Sequence, residues 1–95
     1  MTNGLGEPIA RRELRKGDDP VIVTIGKPRP SGHGDFACAV RIEGVNDEPL
    51  VTDILGIDSV QALVAAMAFA GRFIQSSEGD YTFLGDADLG FPSIG

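Results

Sequence analysis

The chain has 95 residues, 42% of them hydrophobic, with 13 glycines, 6 prolines and a single cysteine. That is one domain's worth of chain, too apolar for a disordered or fibrous protein and unable to form an internal disulfide. A formal net charge of −6 argues against a nucleic-acid binder, whose affinity rests chiefly on a broad basic face.

Met1 to Glu7 is small and polar and reads as a loose N-terminus, followed by a single α+β domain over residues 8–76 and a tail over 77–95. From Pro8 the segment PIARRELR alternates imperfectly, and its charged majority suits an edge strand. Lys16-Gly17-Asp18-Asp19-Pro20 collects turn formers, and Val21 to Ile25 follows with dense β-branching, so the pair reads as a hairpin. The stretch Gly26 to Gly34 holds two prolines and three glycines and cannot continue a ladder, so it is expected as a long loop. Phe36, Cys38, Val40 and Ile42 then alternate with Ala37, Ala39, Arg41 and Glu43, which places the first set on the buried face of a third strand. After a turn at Gly44 to Pro49, Leu50 to Leu55 supplies a fourth.

Asp58 to Gln75, DSVQALVAAMAFAGRFIQ, is the longest apolar run. Asp58 can cap a helix there, with Gln61 reaching back to the Asp58 N–H as in a capping box. At 100° per residue Val60, Leu63, Val64, Met67, Ala70, Gly71 and Ile74 share one side, and Ala62, Ala66, Phe69 and Phe73 a second. Gln61, Ala65, Ala68, Arg72 and Gln75 are left for water. The expected architecture is therefore a four-stranded antiparallel meander packed on one long helix, ββββα, with a C-terminal tail. A helix apolar on two sides needs a second cover, either the tail with its Tyr81, Phe83 and Phe91 or another copy of the chain.

Charge is unevenly placed: residues 1–41 hold seven Lys/Arg against five acids, and residues 42–95 hold one Arg against nine acids. Such polarity can steer association, although a solvated surface is its ordinary meaning. The apolar run from Ala62 to Ala70 is too short to span a bilayer, and the N-terminus has no basic leader followed by an apolar core. Together with the lone cysteine this predicts a soluble, cytoplasmic protein without a membrane partner.

Candidate chemistry is sparse. His33 lies between two glycines and two residues before Asp35, with Ser31 nearby, but groups this close on one loop do not by themselves converge as nucleophile, base and oxyanion donors. Cys38 on a buried strand face packs as a small hydrophobe, and no second cysteine or histidine gives it zinc-site spacing. Asp86 and Asp88 in GDADLG lack the later oxygen ligands of a calcium loop. No catalytic residue, metal site or cofactor is expected.

The stretch Gly34 to Gly44, GDFACAVRIEG, continued by Gly56 to Leu63, GIDSVQAL, resembles a family of small uncharacterised bacterial proteins, a domain of unknown function. The resemblance covers roughly residues 9 to 75, leaves out the acidic tail, and implies a shared fold without an assigned activity. Two functional readings follow from the residues. One is a non-catalytic homodimeric or partner-binding module whose interface is Ala62, Ala66, Phe69 and Phe73. The other is a small-molecule-binding protein or enzyme with His33, Asp35 and Arg41 at a site near the 26–34 loop.

Overall fold

The computed structural model describes residues 5–93. Their order is β1 (Pro8–Lys16), β2 (Asp19–Gly26), β3 (Arg29–Pro30), β4 (Phe36–Glu43), β5 (Leu50–Gly56), α1 (Ser59–Gln75) and β6 (Tyr81–Thr82). β1, β2, β4 and β5 pair antiparallel in that order. Two further strands of two residues each bring the sheet to six instead of four. β3 lies in the proline-rich loop and pairs with the start of β4, and β6 lies in the tail and pairs with Arg15 and Lys16 of β1. Two residues show no period of two, so neither strand could announce itself in the sequence.

Local sequence explains the joints. Gly17, at φ 63°, takes the first of two loop positions between Lys16 and Asp19, the conformation that matches a tight hairpin to strand twist. The uneven alternation of β1 has a physical cause, because the register shifts between Pro8 and Ala10 and leaves Ile9 as an extra residue.

The core forms between the sheet and α1. Leu14, Val21, Val40 and Ile74 have no exposed surface, Val23 and Ile42 have 1%, and each such side chain contributes about 1.5–3 kcal/mol on burial. On β4 the set Phe36, Cys38, Val40 and Ile42 faces this core, yet Ala37 and Ala39 are buried as well. The chain at Leu5 crosses the other face there: a side chain at Gly26 would run into the Leu5 carbonyl and the Ala39 methyl.

Asp58 caps α1, its Oδ1 accepting from the Gln61 N–H at 2.8 Å. Gln61 Oε1 reaches one residue further back than a capping box requires and accepts from Ile57 N–H at 2.6 Å. The helix has 17 residues, about 25 Å, so it is shorter than a long rod and matched to the sheet beneath it. Its sheet-facing line is Ala62, Ala66, Ala70 and Ile74, all without exposed surface, whereas Val60 is 67% exposed. The side occupied by leucine, valine and methionine is therefore not the closest face. Small residues win that position because they let the helix axis descend onto β4 and β5, most tightly where Gly56 meets Ala62. No helix among the described residues is long and apolar enough to cross a membrane.

The tail is part of this packing. Leu89 is 2% exposed and joins the core with Tyr81, and Phe91 sits against Gly71, where an added Cβ would lie 2.9 Å from the Phe91 Cβ. Ala68, assigned to water by its helical position, is 1% exposed because residues 88–93 run beside it. Arg12 fastens the segment: its guanidinium lies 4.4 Å from the Phe83 ring centre and 5.0 Å from that of Phe91, and Nη1 donates to the Leu89 carbonyl at 3.0 Å.

Candidate functional interface

The two margins of the sheet differ in kind. β1 carries Arg11, Arg12, Glu13, Arg15 and Lys16, begins with a proline and a bulge, and is met at its far end by β6. These are the devices by which proteins block strand addition. β5 has none of them. Among the described residues it pairs with β4 alone, and its sequence LVTDILG has no proline, no lysine and one acid. That acid, Asp53, is neutralised by Arg29 at 2.7 Å.

Apolar surface gathers beside this open margin. Leu55, on the sheet face turned away from α1, is 59% exposed and Ile57, just after the strand, 76%, whereas Val60, 67% exposed, lies on the Met67 side of α1 away from this margin. The tail occupies the α1 flank towards β1 and β2, where Met67 and Phe91 line one hollow with Val23 and Ile25. Phe69 and Phe73 project to the other side of the Ala62 to Ile74 line, on the β5 flank. They are half-buried and stacked on each other, ring centres 5.9 Å apart at 27°. An unpaired strand flanked by half-covered aromatics is suited to receive another strand: backbone groups supply hydrogen bonds and the side chains supply apolar area.

Of the four interface residues expected from sequence, the fold keeps Phe69 and Phe73 at the surface and commits Ala62 and Ala66 wholly to the sheet. The alternative set does not converge. His33 and Asp35 precede β4, while Arg41 lies six residues further along it, about 20 Å away in an extended strand. Within the loop the Ser31 hydroxyl donates to the Asp35 carboxylate and accepts from the His33 backbone N–H at 3.1 Å. That is a closed turn, with the serine hydroxyl directed to a carboxylate and not to an imidazole.

The other sequence candidates are also occupied structurally. The Cys38 thiol donates to the Gly26 carbonyl at 3.3 Å. Burial pushes its pKa up from 9.0, the Arg29 charge opposes that rise and Asp53 adds to it, which disfavours the thiolate a nucleophile needs. Asp86 Oδ1 accepts from the Asp88 N–H and Asp88 Oδ1 from the Gly90 N–H, both at 2.9 Å, so the two carboxylates fold the tail locally. Among the described residues no three His, Cys, Asp or Glu side chains gather as a ligand set.

Sequence reasoning missed Leu55, Ile57 and Val60 as surface residues. An apolar residue next to a strand end, as Leu55 and Ile57 are, is expected inside, and only the strand order shows that among the described residues no strand lies beyond β5.

Residues 10–93 match the family described as "Domain of unknown function (DUF6968)", and the chain belongs to that family. The match runs through the tail, which is thus part of the family's domain and not an addition peculiar to this chain. No curated protein and no solved structure gives a match.

Proposed function

We propose that this member of the family is a non-catalytic module that forms a homodimer through β5. The observation that carries the reading is the contrast between a blocked β1 margin and an open, apolar β5 margin beside Phe69 and Phe73. Two β5 strands related by a two-fold axis run antiparallel, so one continuous sheet would cross the contact, with the phenylalanine pairs of both copies closing over it. Desolvating Leu55 and Ile57 supplies the driving force, and the strand hydrogen bonds supply register.

Sedimentation tests this. The wild type is expected at twice the 10.0 kDa of one chain. Leu55→Lys, at a position already 59% exposed, is expected to sediment as a single chain with its circular dichroism unchanged. Phe69→Asp is expected to sediment as a single chain as well, at some cost in stability because Phe69 also packs against the core. A wild type that stays at single-chain mass at the highest soluble concentration removes the proposal, and so does a Leu55→Lys dimer as tight as wild type.

A further inference from the structure

The sheet face turned away from α1 carries a cross-strand row that the β5 reading does not use. Arg11 of β1 pairs with Thr24 of β2, and Thr24 pairs with Arg41 of β4, so the three side chains stand in line on that face. The adjacent row, Arg12, Val23 and Ile42, points into the core. The two arginine Cα atoms are therefore about 10 Å apart, two strand spacings, close enough for both guanidinium groups to lean over Thr24.

Among the described residues Arg41 has an ion-pair partner but no hydrogen bond at Nε, and Arg11 has neither. Arg41 Nε is buried without a hydrogen-bond partner. Its one acidic neighbour, Glu43, stands 3.5 Å away, near enough to attract and too far and misaligned to accept the proton. Arg11 has no side-chain ion pair, hydrogen bond or ring contact among the described residues. Both border a surface concavity of about 540 Å³ with Thr24, Glu43, Ile9 and Ile22.

A buried guanidinium nitrogen without a hydrogen-bond acceptor is costly, and a planar fork held loosely by one glutamate beside the unpaired fork of Arg11 is an arrangement that can receive an oxyanion. The charge on the site is two arginines against one glutamate, which suits a single negative charge. Ile9, 47% exposed, and Ile22 give an apolar body somewhere to rest. From this geometry we infer that the concavity binds a small monocarboxylate with an apolar body, its carboxylate held between Arg11 and Arg41. The site is independent of β5 pairing.

The test is a nitrogen–proton NMR titration of the full chain, following the Arg41 Nε–H and the Thr24 amide. Hexanoate is expected to shift both saturably, with a Kd on the order of 1 mM for so small a ligand. Hexan-1-ol, which keeps the apolar body and lacks the charge, is expected to leave Arg41 Nε–H in place. Arg11→Gln, at an exposed and unpartnered position, is expected to weaken hexanoate about tenfold with the remaining spectrum unchanged. The inference is overturned by unsaturated or absent shifts at roughly twenty times that concentration, by equal shifts from hexan-1-ol, or by equal affinity in Arg11→Gln. It is also overturned if inorganic phosphate saturates these resonances and hexanoate does not. Repeating the titration on Leu55→Lys separates the outcome from dimer formation.

Discussion

Replacing Gly56 by alanine tests one of the closest backbone approaches among the described residues, that of β5 to the first turn of α1. A methyl group there would lie 2.7 Å from the Ala62 Cα and 2.8 Å from the Gln61 carbonyl carbon. Ordinary carbon contacts begin near 3.5 Å and the Ala62 backbone nitrogen is nearer still, so the first turn of α1 must retreat by at least about 0.8 Å, and the obstacle is backbone that has no rotamer to change. The retreat also loosens the line of alanines that follows. Overpacking of this kind costs about 3 kcal/mol, out of roughly 5–14 kcal/mol for a domain of this length, so the variant should fold but melt some 12–24 °C lower. Gly71→Ala is the internal control. Its methyl would lie 2.9 Å from the Phe91 Cβ, on a segment that belongs to no helix or strand and is held by side-chain contacts instead of by a backbone ladder. The strain is offset by the gain of about 1 kcal/mol from replacing a helical glycine. Urea unfolding followed by circular dichroism should therefore rank wild type and Gly71→Ala within about 1 kcal/mol of each other and Gly56→Ala well below. A Gly56→Ala midpoint within about 0.5 kcal/mol of wild type would show that α1 does not descend onto the sheet through its small residues.

Three further outcomes are expected. Arg12→Met keeps the length of the side chain but loses the Leu89 hydrogen bond and the charge between Phe83 and Phe91; it should cost about 2–3 kcal/mol and make the tail the first segment cut by protease, whereas uniform protection would refute the clamp. Leu84 holds φ 52° at the tip of a two-residue turn with Gly85 and is 89% exposed, so Leu84→Asn should stabilise by about 1 kcal/mol, and a loss of stability would mean that the leucine makes a contact worth more than its strain. Because the folded Cys38 pKa lies above the unfolded 9.0, the thiol's contribution is fully present below pH 9.0 and is lost as pH rises through the folded value. Cys38→Ala should therefore lose less stability than wild type between neutral and strongly alkaline pH, and equal losses would contradict the burial.

Much of the scaffold was legible because single residues carried it. Asp58 marks the start of α1, the Gly17 turn marks the first hairpin, and the period of two from Phe36 to Glu43 gives the inward face of β4. The sheet-facing side of the helix was not legible. Alanine scores as weakly apolar, so a projection favours the side with leucine and valine, while packing rewards the side that permits the shortest distance. The strands at Arg29 and Tyr81 exist only because β4 and β1 offer them an edge, a relation that no local window contains. The site was half legible for the same reason: Phe69 and Phe73 could be read as a surface pair, but the open state of β5 depends on which strands stand elsewhere. Arg41 stood out in the sequence, and its neighbours Arg11 and Thr24 emerge only from register.

The capping of β1 by residues from the far end of the chain has a bearing on what assemblies are open to the molecule. Strands that can add at both borders build ribbons without limit, the geometry of fibres. Here Tyr81 and Thr82 cover part of one border and arginines repel comers along the rest. Under the proposed β5 pairing, growth by strand addition has a single starting point per copy, and one union would use it up. Loss of the last fifteen residues or so would remove that stopper, and insoluble polymer, more than mere unfolding, is the hazard such a truncation would bring.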